Sequence, residues 1–305
     1  MRAIEINGLS KTYGDVEAVR GISLAIEKGD FFGFIGPNGA GKTTTINSIM
    51  GLVSFKGSIK VMGKDVVADY QDARRLVGLS PQEFNFDRFL TVEECLLYTA
   101  GYFGIPKAEA LRRSEKLLKR FSIADKRKKR VESLSGGMKR RLIIARALIQ
   151  DPEILILDEP TAGIDVQLRR EFWDILQDIN KEGKTILLTS HYIEEVEKLC
   201  STIGIINNGR IIELAKKDRI MAHLSNECLI IRTKTKPKKL VLKDADLIIR
   251  TDGNTIKVIG KNVRKRAARI LSQVEKIGID VEEIEMSRES LENVFLRITE
   301  SDKGE

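Results

Sequence analysis

Three short motifs stand in a fixed order along the chain and restrict the folds open to it. The first, GPNGAGKT, covers residues 36–43 and directly follows the apolar run FFGFI. The second, LSGGM, covers residues 134–138 and ends twenty residues before the Asp of the third, ILILDEP, at residues 154–160. A glycine-rich loop between a buried strand and a helix is the context that a phosphate-binding loop requires. The order of motifs therefore predicts an α/β protein with a mostly parallel sheet and a phosphate site at its edge.

The first motif would wrap backbone N–H groups around phosphate oxygens, because glycines permit a close approach of the backbone. Lys42 is expected to reach the β- and γ-phosphates of ATP, and the Thr43 hydroxyl to ligate Mg²⁺. Such a pattern arises by chance in roughly one chain in a hundred of this length, so an ordinary glycine turn is a weak alternative. The residues predicted to hold the nucleotide here are Gly36, Pro37, Asn38, Gly39, Ala40, Gly41, Lys42, Thr43 and Thr44.

The third motif places two acidic residues at the end of an apolar strand. Asp158 stands at the carboxyl end, where ligands bind in parallel sheets, and its carboxylate is predicted to hold hydrated Mg²⁺. Glu159 follows it and is predicted to polarise the attacking water. The structural alternative is an acidic turn leading into Pro160. The phosphate loop upstream favours the catalytic interpretation.

Together the phosphate loop, LSGGM, ILILDEP and a His after the next strand resemble the ATP-binding cassette (ABC) family over about residues 2–222. The resemblance implies that two copies close over two ATP molecules. It also implies that Ser135, Gly136 and Gly137 contact the γ-phosphate held by the partner copy. A serine and paired glycines before a helix offer a hydroxyl, N–H groups and a helix dipole to an anion. Taken alone, the same residues would be a plain helix cap.

Four further positions match the family pattern. Tyr13 in KTYG resembles the aromatic residue that stacks on adenine, although a strand Tyr alone is usually a packing residue. Gln82 in SPQE resembles the glutamine that senses Mg²⁺ and water at the hinge to a helical subdomain. Asp165 in TAGID resembles the loop residue that couples two sites across a dimer. His191 follows TILLTS and resembles the γ-phosphate switch, whereas a lone His there would usually cap a helix.

The chain departs from the family pattern in small ways. Met138 replaces the commoner glutamine at the end of LSGGM, and Ile164 replaces the usual leucine. Neither change removes a catalytic group, so the resemblance implies two competent sites in a homodimer. The stretches LSGGMKRRL, LDEPTAGID, HYIEEVEKLC and ESLENVFLRIT resemble the ATPase subunits of prokaryotic ABC-2 type exporters for drugs, antibiotics and polysaccharides. That subgroup implies a separate integral-membrane permease and a location on the cytoplasmic face of the cell membrane.

Composition is consistent with this interpretation. The chain has 305 residues, of which 42% are hydrophobic, and the sequence holds no apolar run long enough to span a bilayer. Its N-terminus has no export signal, and three scattered cysteines favour a reducing cytosol. Between residues 107 and 141, fourteen Lys/Arg stand against four Asp/Glu. This basic segment would suit nucleic acid, an anionic membrane surface or simply a solvated face; no nucleic-acid partner is expected from the resemblance.

The pattern of strands and helices predicts two domains. Residues 1–222 are expected to form the P-loop ABC ATPase core, with an N-terminal antiparallel β subdomain and a helical subdomain at about 83–150. Residues 223–305 are expected to form a small accessory α+β domain, for which the sequence shows no local motif. The predicted fold class is therefore α/β with this C-terminal addition.

Two rival functions stay open at this point. A soluble ABC ATPase acting on ribosomes or nucleic acid would use the basic segment. Such relatives usually carry two cassettes or long insertions, whereas Gln82 and Ser135 are only 53 residues apart. The other rival is a regulatory module that binds ATP without turnover, against which Glu159 and His191 both argue.

Overall fold

The structure of the chain, a computed structural model, describes residues 1–223, 226–235, 237, 247–288 and 290–301. The chain divides into two compact units, Met1–Lys217 and Asp218–Glu305. The predicted boundary at residue 222 lies within five residues of this division and inside a short helix. As a domain assignment it stays a prediction.

The described strands are β1 (Arg2–Tyr13), β2 (Val16–Glu27), β3 (Phe31–Ile35), β4 (Lys56–Val61), β5 (Lys64–Asp65), β6 (Val77–Ser80), β7 (Ile154–Asp158), β8 (Thr185–Ser190), β9 (Thr202–Asn207), β10 (Arg210–Lys216), β11 (Glu227–Thr233), β12 (Ile248–Asp252), β13 (Thr255–Gly260) and β14 (Val281–Arg288). The described α-helices are α1 (Lys42–Ile49), α2 (Tyr70–Arg75), α3 (Val92–Tyr102), α4 (Lys107–Arg120), α5 (Gly136–Leu148), α6 (Val166–Lys181), α7 (Ile193–Leu199), α8 (Lys217–His223), α9 (Val263–Lys276) and α10 (Leu291–Ser301).

The first unit contains an antiparallel sheet with the strand order β2-β1-β4-β5. In β1 and β2, isoleucines and leucines alternate with polar residues, as in a sheet with one buried face. Its buried face shares a core with α1 and the central sheet, including Ile4, Ile26, Ile46 and Phe34. This is the predicted antiparallel β subdomain, and it packs against the helix that follows the phosphate loop.

The central sheet has the order β10-β9-β3-β8-β7-β6. Strands β6, β7, β8, β3 and β9 pair in parallel, and β10 joins the edge antiparallel. Every residue of β3, β7 and β8 is buried. Continuous apolar runs such as FFGFI and ILILD suit strands covered on both faces. The predicted mostly parallel sheet is therefore present.

The segment between β6 and β7 is mainly helical, as predicted. Helix α3 begins with a complete capping box, in which Thr91 Oγ1 accepts from Glu94 N at 3.2 Å and Glu94 Oε2 accepts from Thr91 N at 2.8 Å. The stretch TVEE, residues 91–94, has the Thr and Glu spacing that indicates such a capping box in a sequence. Helices α3, α4 and α5 pack against one another.

In the second unit, the described strands form an antiparallel sheet with the order β12-β13-β11-β14. Helix α9 packs on β11 and β13. The core between them includes Leu229, Ile231, Val258 and Ile270. This is a small α+β arrangement, as predicted for the accessory domain. The stretch ADLIIRT, residues 245–251, also has the pattern of a strand, and its first two residues, Ala245 and Asp246, lie outside the described residues.

Candidate functional site

Four predicted motifs meet at one edge of the central sheet because they follow parallel strands. The phosphate loop follows β3, Gln82 follows β6, Asp158 ends β7, and His191 follows β8. The register aligns the strand ends, since Asp158 pairs with Thr189 and Thr189 with Phe34. The carboxyl edge of a parallel sheet is where ligands bind in such folds.

The phosphate loop has the backbone shape that its glycines predict. Gly41 adopts a φ of 106°, which favours glycine, and caps α1. A Cβ on Gly36 would stand 2.2 Å from the Ile206 carbonyl oxygen, so only glycine fits there without a shift. The glycines therefore let the loop backbone pack closely against β9 and leave its N–H groups accessible to an anion at the N-terminus of α1.

Lys42 lies within this loop. Its ammonium donates to the carbonyl oxygens of Gly36, at 2.7 Å, and Pro37, at 3.1 Å. Burial lowers the pKa of Lys42, whereas the nearby carboxylates of Glu159 and Asp158 raise it. The ammonium of Lys42 therefore lies against the loop backbone, near the two acidic residues that end β7.

Oxygen donors suited to a hard cation lie beside the loop. The Thr43 hydroxyl donates to Asp158 Oδ2 at 3.1 Å, and the Thr189 hydroxyl donates to Asp158 Oδ1 at 2.5 Å. Asp158 is almost fully buried. A carboxylate and a hydroxyl at hydrogen-bonding distance match the oxygen ligands that Mg²⁺ takes beside phosphates. These residues therefore fit the predicted metal site.

Two of the predicted catalytic residues contact the same carboxylate oxygen of the third, Glu159. Gln82 Nε2 donates to Glu159 Oε2 at 3.2 Å, and His191 Nδ1 lies 3.1 Å from the same oxygen. The Glu159 side chain is 11% exposed. A carboxylate that is accessible yet oriented by two neighbours can accept a proton from water.

The backbone of Glu159 is held in an unusual conformation. Its φ is 48°, in the left-handed region that few non-glycine residues adopt. The Glu159 N–H donates to both the carbonyl and the hydroxyl oxygen of Thr189, at 3.1 Å each. Thr189 therefore fixes Asp158 and Glu159 together. Sequence reasoning missed this role, because a threonine within TILLTS reads only as a strand residue.

Ser135 of LSGGM and Asp165 of TAGID cap the starts of two neighbouring helices. Ser135 Oγ accepts from Met138 N at 3.3 Å at the start of α5, and Asp165 Oδ1 accepts from Leu168 N at 2.9 Å at the start of α6. A Cβ on Gly137 would stand 2.4 Å from the Leu168 side chain, so the two helix starts are in close contact. Within the described part of the chain, no hydrogen bond joins Ser135 or Asp165 to the cluster around Glu159.

Ser135 and Gly136 are exposed, and Gly137 is partly exposed. Tyr13 ends β1 with 45% exposure, and the Lys11 ammonium lies 4.7 Å from its ring centroid. Ser135 and Gly136 thus offer hydrogen-bond donors, and Tyr13 an aromatic face, to a molecule that binds at the surface.

Within the described residues, no helix is both long and apolar enough to cross a bilayer.

Comparisons with known proteins agree with this geometry. A family profile described as ABC transporter matches residues 19–162. The Nod factor export ATP-binding protein I of Ralstonia nicotianae is 36% identical over 299 residues, covering 97% of this chain and 93% of that protein. The linearmycin resistance ATP-binding protein LnrL of Bacillus subtilis is 34% identical, covering 97% of this chain and 98% of that protein.

Solved structures are similar to this chain over about seven tenths of its length. An ATP-binding subunit of an ABC transporter superposes with a TM-score of 0.67 at 29% identity, covering 72% of this chain and 92% of that chain. A dimeric ATP-binding cassette bound to ADP and Pi gives 0.65 at 26% identity, covering 70% and 98%. The motifs, the fold and relatives matched over nearly their whole length lead to one conclusion: the chain belongs to the ABC transporter family, as one of its ATP-binding ATPase subunits.

Proposed function

We propose that the chain powers an ABC-2 type exporter by closing, as a homodimer, over two ATP molecules. The main support for ATP hydrolysis is that Gln82 and His191 both contact the Glu159 carboxylate. The export part is supported by relatives named for Nod factor export and linearmycin resistance, which match nearly end to end. Residues 1–222 would act as the nucleotide-binding domain and 223–305 as an accessory domain.

Binding would begin at the phosphate loop. Lys42 and the N-terminus of α1 offer positive charge to the β- and γ-phosphates, and Tyr13 offers its exposed ring face to adenine. Thr43, Asp158 and Gln82 would hold Mg²⁺, which when bound neutralises charge on the phosphate oxygens. Asp158 is oriented for this task by the Thr189 hydroxyl.

Hydrolysis would depend on Glu159. Its carboxylate is placed to accept a proton from the attacking water, and Gln82 and His191 fix the oxygen that receives it. His191 would also contact the γ-phosphate. Because His191 Nδ1 lies within hydrogen-bonding distance of Glu159, the proposed γ-phosphate switch is in direct contact with the proposed base.

Closure would need the partner copy. Ser135, Gly136 and Gly137 lie at the exposed start of α5 and would bind the γ-phosphate held by the partner. Asp165 starts the neighbouring helix and would couple the two sites. ATP stabilises the closed state through its extra contacts there, and hydrolysis removes that preference.

The permease would be a separate integral-membrane protein, and the chain would work at the cytoplasmic face of the membrane. The helical subdomain, at about 83–150, would press on the permease, with the basic segment facing anionic headgroups. Several of its cations already pair with carboxylates of the same unit: Arg112, Arg113, Lys119, Arg120, Lys126 and Arg141. This pairing leaves fewer unpaired cations in the segment for the phosphates of a nucleic acid.

An affinity pull-down tests the exporter. Tagged Glu159→Gln would be recovered from detergent-solubilised membranes of the native host with ATP and Mg²⁺, and bound proteins identified by mass spectrometry. Lys42→Ala, which should not bind ATP, is the matched control. We expect one multi-span membrane protein at near-equal amount with either variant. Ribosomal proteins or nucleic acid without a membrane partner would overturn the exporter and favour the soluble ABC ATPase.

A further inference from the structure

The loop that carries Gln82 also carries two aromatic side chains. Phe84 and Phe86 stack with their ring centroids 6.4 Å apart and their planes 11° apart. Phe84 is 41% exposed although it lies next to the catalytic cluster. A loop of this kind has little apolar burial of its own, so something else must fix its position.

Two arginines of helix α5 contact this loop. Arg140 Nη1 donates to the Pro81 carbonyl oxygen at 3.2 Å, and its guanidinium carbon lies 4.8 Å from the Phe84 ring centroid. Pro81 and Phe84 flank Gln82 on either side along the chain. Each contact combines charge with a ring face or a carbonyl, and such contacts strengthen away from water.

Arg146, six residues further along α5, makes the same pair of contacts. Its Nη1 donates to the Asn85 carbonyl oxygen at 2.9 Å, and its guanidinium carbon lies 4.8 Å from the Phe86 ring centroid. The two arginines are separated by about 9 Å of helix rise. The loop is thus held to one rigid helix at two points.

Arg140 is an unusual residue to bury. It is 3% exposed, and its Nε has no hydrogen-bond partner in the described part of the chain. Burial lowers the pKa of Arg140, and the carboxylates of Glu159 and Asp158 oppose that shift. A guanidinium stays protonated in proteins, so a buried cation lies close to the catalytic carboxylates. An apolar side chain of similar size would usually pack there at lower cost.

We propose that Arg140 is a positioning residue for ATP hydrolysis. It fixes Pro81 and Phe84 and thereby keeps the Gln82 amide within hydrogen-bonding distance of Glu159 Oε2. Arg146 anchors the following part of the same loop. This inference rests on the proposed hydrolytic function.

The helix that holds the loop is the one that begins at Ser135. Its start is proposed to contact ATP held by the partner copy, and Arg140, further along it, holds Pro81 and Phe84 on either side of Gln82. Helix α5 would then couple ATP binding at the partner's site to the position of Gln82 in this chain's own site. A displacement of about 1 Å at a catalytic group can cost on the order of a hundredfold in rate.

A double-mutant cycle tests the proposal on the purified full-length chain. Arg140→Met, Gln82→Ala and the double variant would be compared by steady-state phosphate release over a range of ATP concentrations. We expect Arg140→Met to lower kcat by roughly tenfold or more with KM for ATP unchanged. In the Gln82→Ala background the same change should have almost no further effect, because coupled residues are non-additive.

Matched variants separate positioning from folding. Arg141→Met removes the neighbouring cation, which pairs with Glu171 and lies over the Phe172 ring instead of the loop, and it should keep wild-type kcat. Arg140→Lys should recover part of the lost rate. If Arg140→Met does not fold, Phe84→Leu removes the ring from the loop side and should lower kcat in the same Gln82-dependent way.

The outcomes are distinct. An equal loss of kcat in the wild-type and Gln82→Ala backgrounds would overturn the proposal and assign Arg140 to the carboxylates or to packing. Wild-type kcat in Arg140→Met would also overturn it. If the unmodified chain releases no phosphate, the proposed hydrolytic function itself fails, independently of Arg140.

Discussion

Replacing Glu159 by glutamine removes a proton acceptor while leaving the shape of the site almost unchanged. The glutamine carbonyl can still accept from Gln82 Nε2, which now donates to Glu159 Oε2 at 3.2 Å. The strained backbone and its hydrogen bonds to Thr189 do not depend on the side-chain charge. The substitution therefore isolates proton transfer from folding.

The size of the effect follows from the role of the carboxylate. A positioned general base contributes about 10²–10⁴-fold to a rate, which corresponds to about 3–5 kcal/mol in the activation barrier. Binding of ATP should persist, because Lys42 and the glycine loop are untouched. With hydrolysis nearly stopped, the ATP-bound closed dimer should accumulate.

Two assays measure these outcomes on the purified chain. Single-turnover phosphate release reports hydrolysis, and size-exclusion chromatography with light scattering reports the dimer in ATP and in ADP. Glu153→Gln is the control, since Glu153 lies before the opposite end of β7 in a surface ion pair with Lys28. Wild-type turnover in Glu159→Gln would refute the assignment of Glu159 as the base.

Two further predictions concern stability. A Cβ on Gly78 would stand 2.1 Å from the Ala147 carbonyl oxygen, so Gly78→Ala should cost about 1–3 kcal/mol of unfolding free energy in thermal denaturation. Gly101→Ala, in α3 with no atom within 4 Å of an added Cβ, should instead be neutral or stabilise by up to about 1 kcal/mol. Burial raises the pKa of Glu195, whose Oε1 accepts from Trp173 Nε1 at 3.1 Å. The folded state thus keeps a proton that the unfolded state releases above its ordinary pKa of 4.5. The free energy of unfolding, measured by urea denaturation, should therefore fall as the pH rises from 4.5 through the raised pKa of Glu195. It should fall less in Glu195→Gln, and the same pH dependence in both proteins would contradict this.

Much of the first unit followed from local patterns. Helix α6 runs from Val166 to Lys181, and the clear apolar period of this stretch makes the helix readable from the sequence. Buried strands were readable because β7 and β8 are uninterrupted apolar runs that end at turn residues. Helix α2 was missed, since six residues carry too little periodicity to predict a helix.

Contacts between distant segments could not be predicted in the same way. The arginines of α5 reach the Gln82 loop across 59 and 61 positions of sequence. Arg140 stands in the basic segment, which could be a solvated face on sequence grounds, yet its side chain is buried. The Thr189 hydroxyl likewise serves Asp158 across 31 positions. Such pairings arise from strand order and helix packing, which local propensity does not encode.

The left-handed backbone at Glu159 also has an evolutionary consequence. A non-glycine residue in that conformation costs about 1–2 kcal/mol, which a glycine would not incur. Selection for thermal stability alone would therefore favour glycine at this position, whereas selection for turnover keeps the carboxylate. A Glu159→Gly variant should therefore resist thermal unfolding better than the wild-type chain while lacking the proposed base.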